Sequence, residues 1–581
     1  MRRIARTGGR SGIAATTWAL GAWATAMAAT AEAKPLHEDA APADLVVINA
    51  KVWTGDAHHP HAERFAVRGG VFVGVDDEVD VAALTGPDTV VFDAGGRRIL
   101  PGLIDTHVHL GGAAADFRYL DLRAATSKQD LLKRLADYAR PLGPDDWVVG
   151  TRWSSESWPD QTPPGADEID AATGGRKAVL IRMDGHSLLA SRSALEYANI
   201  TKDGPADPPG GTIGRLADGT PSGGIFEQAM GLVQRHVRLP AVDEKELLLK
   251  AVREANRFGV TQVGAIEGPD TLRQLAELDR EGKLTLRIAG TIRGAGDSLS
   301  AWEAALKWGA ENASPSPMVR VVGFKGYMDG SLGSRTAWMM EPYLDNHMAP
   351  DKSPDNAGYP LAMAAEGTLA DLIRLGAGMG LQPAVHAIGD QSNHVLLNWY
   401  ESLTTEQRKA LRPRIEHAQH LLPADVVRFA ALGVVPSMQP YHKADDGRYA
   451  EQRIGPERIK SSYAFRQLLD SGALLAFGSD WPVVSVDPFL GIHAAVSART
   501  LDDKVFAPEQ SITVEEALTC YTRSAAACLL SESSTGMIRA GYAADFIVLD
   551  RDVLTTTAEQ LRDIRVLRTF VAGRPVYERA E

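Results

Sequence analysis

Cysteine is nearly absent from this sequence, which limits what disulfides can contribute to the fold. Only Cys520 and Cys528 occur among the 581 residues. The spacing of apolar residues over 513–530 predicts a single helix, and eight helical residues separate two Cα atoms by about 12 Å. That distance exceeds the reach of a disulfide. We therefore expect two free thiols and a fold stabilised by its hydrophobic core, for which a chain of this length is sufficient.

Long apolar runs and basic runs are also missing. Beyond residue 33, no run reaches the roughly 18 apolar residues that a membrane-spanning helix needs. The chain has 61 Lys and Arg against 74 Asp and Glu, a net charge of −13. Removing residues 1–33 takes away four Arg and one Glu, which leaves 57 against 73, or −16. An acidic chain without a basic cluster is a poor partner for nucleic acid. These absences favour a protein that acts on a small molecule.

The first 33 residues have the layout of an export signal. Four arginines in the first ten residues precede an Ala-rich apolar run over 13–29, which Ala31-Glu32-Ala33 follows. This order is typical of a secretory signal peptide. We expect an exported protein, periplasmic or secreted, whose mature chain begins near Lys34; an unprocessed tail is the alternative. The Arg2-Arg3 pair is compatible with the twin-arginine route, although its flanking residues do not complete that motif.

Short strands and turns fill both ends of the mature chain. Apolar runs bounded by glycines and polar residues occur at 45–48, 65–67, 71–73, 90–92, 544–549, 566–571 and 576–577. Two strand-rich ends around a large α/β middle predict that both termini build one small composite β-sandwich domain. We assign this domain to residues 43–98 and 535–581.

The middle of the chain, 99–534, alternates apolar strands with helical stretches. The predicted strands are 99–109, 260–264, 286–289, 319–325, 383–386, 414–417, 434–438 and 474–480. Eight parallel strands are enough to close a (β/α)8 TIM-like barrel. The first connection, 121–245, is far longer than one helix requires. We therefore predict an insertion over the barrel mouth.

Polar side chains end five of the predicted barrel strands. The first strand carries two histidines two positions apart, so both side chains point to the same side of an extended backbone. Each such residue alone has an ordinary explanation, such as a hydrogen-bonded core histidine or a helix cap. Together they should converge on the face where the C-terminal ends of barrel strands meet. Four imidazoles and a carboxylate suit zinc. The residues are His107, His109, Lys325, His386, His417 and Asp480.

Several motifs resemble those of the amidohydrolase superfamily. The run 101–109 (PGLIDTHVH) is similar to the opening motif of that superfamily. The runs 329–336 (DGSLGSRT), 386–390 (HAIGD), 415–418 (IEHA) and 478–482 (GSDWP) together resemble its amidohydrolase-3 branch. This branch comprises the YtcJ-like proteins related to N-substituted formamide deformylase. The resemblance covers roughly residues 43–577 and implies a metal-dependent (β/α)8 hydrolase flanked by a composite β-sandwich.

The resemblance also implies roles for individual residues. It implies two divalent metal ions, with zinc favoured, and a carboxylated Lys325 that bridges them. A buried lysine loses its proton readily, which is consistent with carboxylation. Asp184 and His186 would contact substrate from the insertion, with an ordinary surface turn as the alternative. Arg335 would hold a substrate carboxylate, with a structural ion pair as the alternative. The implied ligands are His107, His109, Lys325, His386, His417 and Asp480.

These features predict hydrolysis of a non-peptide carbon–nitrogen bond, in a small amide or N-formyl compound, by metal-activated hydroxide. Asp480 would serve as general base and then as general acid. A mononuclear deaminase and a lactonase or esterase of the same superfamily remain alternatives. Deaminases of the superfamily typically lack the bridging lysine, so Lys325 favours the binuclear hydrolase. An exported barrel that binds ligands without converting them is a more distant alternative.

Overall fold

Eight parallel strands form the central sheet of the computed structural model. The model describes residues 41–580 apart from 156–157, 161, 183–186, 209–210, 240–242, 295–297 and 346–354. The predicted export signal, Asp184 and His186 therefore lie outside the described residues. Each barrel strand pairs with its sequence neighbour, from the first to the eighth. The strands are Leu103–Val108, Val260–Glu267, Arg287–Arg293, Val319–Tyr327, Gln382–Ala387, Arg414–His417, Val435–Met438 and Ala476–Phe477.

Backbone contacts between the first strand and the segment after the eighth complete the ring. Val108 forms a parallel bridge with Trp481. The amide of Asp480 donates to the carbonyl of His107 at 2.7 Å, and the amide of His109 donates to the carbonyl of Trp481 at 2.8 Å. The predicted α/β barrel is confirmed. Its closure places Asp480 directly beside the two histidines of the first strand.

Helices cover the outside of the barrel and bury its apolar strands. The second strand is buried along its whole length, as expected for a parallel sheet with helices on its outer face. The helices of the barrel region are Leu110–Asp116, Glu244–Arg257, Pro269–Arg280, Leu299–Glu311, Ala362–Ala365, Thr368–Gly378, Asp390–Glu401, Thr405–Leu411, Pro423–Leu432, Pro440–Asp446, Ala450–Arg458, Phe465–Asp470, Pro488–Ser497, Val514–Cys520 and Arg523–Cys528.

Strands from both ends of the chain form two further sheets. One has the order Val71–Val75, Phe65–Arg68, Leu45–Ile48, Val90–Asp93. The other has the order Arg574–Glu578, Val566–Val571, Phe546–Leu549, Arg98–Pro101, Lys51–Trp53, His61–Ala62. One apolar core joins the two sheets. The ring centroids of Phe65 and Phe546 are 4.9 Å apart across it. The composite β-sandwich predicted from the two chain ends is therefore present.

The connection after the first barrel strand contains a sheet of its own. Its strands have the order Gly211–Arg215, Pro221–Glu227, Ser187–Ala190, Ala178–Arg182, Val148–Trp153, Leu120–Asp121. Two apolar clusters pack on this sheet with the helices Lys128–Ala139, Ala166–Ala172, Arg192–Tyr197 and Gly231–Gln234. The residue limits assigned to the composite β-domain, the barrel and the insertion stay predictions.

The prediction of one helix over 513–530 is wrong. The chain forms two helices there, Val514–Cys520 and Arg523–Cys528. They are separated at Thr522, whose φ of −129° and ψ of −100° are not helical. Both cysteines are nevertheless free and buried. Among the described residues, no helix combines the length and apolarity that crossing a membrane would require.

Candidate metal centre

His107, in the first strand, and His109, directly after it, lie close together at the barrel mouth. Their ring centroids are 5.5 Å apart. His109 Nε2 is 3.2 Å from Asp480 Oδ1, and His107 Nε2 is 3.4 Å from the same oxygen. Burial opposes ionisation of Asp480, but the neighbouring His107 and the hydrogen bond from His109 hold its pKa well below the usual range. The carboxylate is therefore an anion at neutral pH, which is the form that a metal ion binds.

A buried ion pair orients His107 from behind. Glu416 Oε2 is 2.6 Å from His107 Nδ1, and both side chains are completely buried. Arg414 Nε lies 3.1 Å from Glu416 Oε1. Burial alone would raise the pKa of Glu416, but the charges of Arg414 and His107 outweigh it and lower that pKa to about 2. With Nδ1 held by a carboxylate, His107 presents Nε2 to the cavity.

His386 and His417 are oriented in the same way by other partners. His386 Nε2 donates to the carbonyl of Gly330 at 2.9 Å. His417 Nδ1 donates to Gln439 Oε1 at 2.7 Å. The two rings meet edge to face, with centroids 4.5 Å apart. A hydrogen bond at one ring nitrogen fixes the tautomer and leaves the other nitrogen available to an ion.

Two residues of the cluster have left-handed backbone conformations. The φ angle is 76° at His417 and 61° at Asp480. Non-glycine residues with positive φ are uncommon and cost free energy, and they are found preferentially at functional sites. In both cases the strain occurs where a strand ends and the side chain enters the cavity.

Lys325 lies at the floor of the same cavity. Its Nζ is 3.3 Å from His107 Nε2, and the residue is 1% exposed. Burial lowers the pKa of Lys325 to about 8. A substantial fraction of this amine is therefore neutral near physiological pH, which is unusual for lysine.

The cluster passes a simple test of fit to a divalent metal ion. His107, His109 and Asp480 offer ligand atoms that all lie within 4.8 Å of one another. His417, His442 and Asp480 do the same. Burial lowers the pKa of His417 well below its usual value, so its imidazole is in the neutral, ligating form. Nitrogen and carboxylate oxygen donors at this spacing fit zinc or a similar transition metal.

A cavity of about 380 Å³ opens above these residues. It is lined by the six residues predicted from the sequence and by further side chains that were not predicted. His442 is the main addition, since its ring stacks on that of His417 at 6.1 Å. Glu416 and Gln439 were missed as the groups that orient His107 and His417. His442 and Gln439 follow the seventh barrel strand. In the sequence, only the predicted C-terminal end of that strand indicated that residues near it could reach the site.

The three predicted substrate contacts have different outcomes. Asp184 and His186 lie outside the described residues. The Arg335 guanidinium forms a two-bonded ion pair with the carboxylate of Asp345, with Nε 2.9 Å from Oδ1. Both side chains are nearly buried. Of the two roles predicted for Arg335, the structural ion pair therefore matches its observed contacts.

The motif that contains Arg335 shapes the cavity through its backbone. Asp329 accepts hydrogen bonds from the amides of Ile388 and Gly389 at 3.0 and 2.8 Å. Gly389 must lack a side chain, because a Cβ there would lie 2.0 Å from the carbonyl oxygen of Trp338. These contacts connect the loops after the fourth and fifth strands, and so position His386.

A (β/α)8 barrel with histidines and an aspartate at its strand ends defines a class of metal-dependent hydrolases. The family model described as the amidohydrolase family matches residues 90–577. The protein therefore belongs to the amidohydrolase family, and this membership supports a metal-dependent hydrolase that acts on carbon–nitrogen bonds.

Relatives and solved structures of similar length agree with this membership. Protein LONG AFTER FAR-RED 3 of Arabidopsis thaliana is 33% identical over 551 residues, 92% of each chain. Putative amidohydrolase YtcJ of Bacillus subtilis is 30% identical and is covered to 92%, with 85% of this chain. N-substituted formamide deformylase of Arthrobacter pascens is 26% identical, with 92% of this chain and 98% of that protein covered. An uncharacterized metal-dependent hydrolase from Pyrococcus furiosus has a TM-score of 0.68 at 25% identity, covering 88% of this chain and all of that one. The resemblance to the YtcJ-like branch is confirmed.

Proposed function

We propose that the protein hydrolyses the carbon–nitrogen bond of a small amide or N-formyl compound with the help of two divalent metal ions, preferably zinc. The observation that carries this proposal is the position of Asp480. Its carboxylate belongs to both groups of candidate ligands, so it lies where the two groups meet and could be shared by two neighbouring ions. The similarity to N-substituted formamide deformylase supports the N-formyl class by analogy.

The residues of the site have separate tasks in this reaction. When bound, the ions would lower the pKa of water and polarise the substrate carbonyl. Asp480 accepts the proton that water loses as its oxygen bonds to the carbonyl carbon. Asp480 then returns that proton to the nitrogen as the carbon–nitrogen bond breaks. Glu416 orients His107, and Gln439 orients His417. Through these contacts the two histidines keep the reacting groups correctly positioned.

Lys325 completes the proposed centre as a carboxylated lysine. Carboxylation joins the neutral amine to carbon dioxide and releases one proton, and the pKa of about 8 leaves roughly a tenth of the amine neutral at pH 7. The product is an anionic group with two oxygens, which compensates the charge of two cations in a buried place. A one-ion centre would need no such group.

A substrate panel tests the function. We expect the zinc-loaded full chain to release amine from an N-alkylformamide or N-alkylacetamide, and the Asp480→Asn variant to release at least about 100-fold less. Amine release from the amide and hydrolysis of the matched ester and lactone should be measured in parallel. Turnover of the ester or lactone alone would contradict the proposal in favour of an esterase or lactonase. Ammonia release from an aminated heterocycle, without amide cleavage, would indicate a deaminase.

A further inference from the structure

The part of the cavity after the sixth and seventh strands carries polar atoms without partners among the described residues. Gln419 is 3% exposed and lines the cavity. Its Oε1 has no hydrogen-bond partner among the described residues. His442 Nε2 is likewise buried and without a partner in the described part of the chain. An acceptor buried in this way loses its hydrogen bonds to water and is destabilising unless a donor reaches it. Gln419 Oε1 therefore calls for a donor that a ligand would supply.

Asp446, a carboxylate that has no ion pair with lysine or arginine among the described residues, lines the same cavity. Asp446 accepts hydrogen bonds from the phenols of Tyr449 and Tyr463, the latter at 2.6 Å. Burial raises the pKa of Asp446. Across residues 41–580, as far as they are described, Asp446 has no ion pair with a lysine or arginine. Each carboxylate oxygen can accept a second hydrogen bond, and a cation would offset the cost of burying this charge.

The neighbouring acidic residue differs in this respect. Asp445 also lines the cavity, but it is ion-paired with Arg448, and both side chains are exposed by about two fifths. Arg453 lies over the ring of Tyr449 and donates to the carbonyls of Leu332 and Gly333. Asp446 therefore differs from Asp445 in that it has no ion pair with a lysine or arginine among the described residues.

We propose that Asp446 and Gln419 form a subsite for a cationic N–H group, an ammonium or a guanidinium, carried by the substrate. This inference rests on the proposed function and specifies its substrate class. The cation would pair with the carboxylate and donate to the orphaned amide oxygen. The apolar side chains of Leu332, Val483 and Val484, which also line the cavity, would cover the chain that links this group to the scissile bond.

A binding experiment tests the subsite without turnover. The zinc-loaded full chain is titrated by calorimetry with propylguanidinium chloride and with N-propylurea, a neutral molecule of nearly the same shape. Because a guanidinium does not coordinate zinc, its binding reports contacts with Asp446 and Gln419 and not with the ions. We expect propylguanidinium to bind at least about tenfold more tightly than N-propylurea, as for a charge-assisted hydrogen bond. Equal binding of the two probes would overturn the inference.

Variants identify the residues responsible. Asp446→Asn keeps the size of the side chain and should bring the ratio of the two dissociation constants close to one. Gln419→Met, which leaves Asp446 and its tyrosines intact, should weaken propylguanidinium binding several-fold. Asp445→Asn removes a charge that Arg448 already neutralises and should change the ratio less than about twofold. If Asp446→Asn leaves the ratio of the two dissociation constants unchanged, because the affinities for both probes fall equally or not at all, the proposal is overturned. Asp446 would then only balance the charge of the ions.

Kinetics separates this inference from the function on which it rests. The substrates are two N-formyl amines that end in a guanidinium or in a urea group. We expect kcat/KM to favour the guanidinium compound at least about tenfold, and Asp446→Asn to abolish the preference. Hydrolysis of both compounds without preference would overturn the subsite and leave the hydrolase intact. Selective guanidinium binding without hydrolysis of either compound would overturn the hydrolase and leave the subsite intact.

Discussion

Replacing Asp480 by asparagine should lower kcat on an amide substrate at least about 100-fold, because a general base of this kind contributes roughly 10²–10⁴-fold. Asparagine keeps the size of the side chain and one oxygen for the ions, but it cannot accept the proton from water. We expect the metal content and the melting temperature to stay near those of the wild type, since the histidines and Lys325 still hold the ions. Steady-state kinetics with elemental analysis of the same samples measures both quantities.

The control for this variant is His107→Ala. It removes a ligand nitrogen and the partner of Glu416, so it should lose metal and activity together. The two variants thus separate proton transfer from metal binding. A folded, metal-loaded Asp480→Asn protein that retains most of its kcat would contradict the role of Asp480, and another group would then carry the proton.

Replacing Glu416 by glutamine should destabilise the metal-free protein by about 3–5 kcal/mol, the usual cost of breaking a buried ion pair from one side. The side chains of Glu416 and Arg414 are both fully buried, 3.1 Å apart. Without the carboxylate, the guanidinium charge is left in the core. Urea unfolding at pH 7, followed by circular dichroism, measures the free energy of unfolding.

The sign of the pH dependence follows from the pKa of Glu416. This pKa falls from 4.5 to about 2 in the folded protein. The contribution of the carboxylate is therefore fully present above about pH 4.5 and is lost as the pH falls through 2. Glu254→Gln is the matched control, because Glu254 pairs with Arg257 at the surface, and its loss should cost less than about 0.5 kcal/mol. A cost below about 1 kcal/mol for Glu416→Gln would contradict the account of the ion pair.

The sequence predicted most of the barrel because its strands are apolar runs, and five of them end at a polar residue. This pattern located the strands and also named the residues at their C-terminal ends. It failed for groups that reach the site from elsewhere. His442 lies on the helix Pro440–Asp446, after the seventh strand, and the pairing of that strand with the sixth brings its ring against His417. No local pattern carries that information.

Other features were present in the sequence but could not be interpreted from it. Arg414 and Glu416 lie two positions apart in a buried strand, so they point to the same side of it. This spacing indicates an internal ion pair, yet only the fold shows that His107 is its third member. The break at Thr522 was missed because the apolar periodicity continues across it. From the sequence, Arg335 could bind a substrate carboxylate or form a structural ion pair. Its observed contact with Asp345 matches the ion pair.

Metal content measured together with activity tests the central claim most directly. The protein is purified without chelator, analysed for zinc and other divalent metals, stripped with a chelator, and then reloaded. We expect about two ions per chain, loss of amide hydrolysis on stripping, and recovery on reloading with zinc. Full activity with one ion per chain would contradict the two-ion centre, and full activity in the stripped protein would contradict a metal-dependent hydrolase altogether.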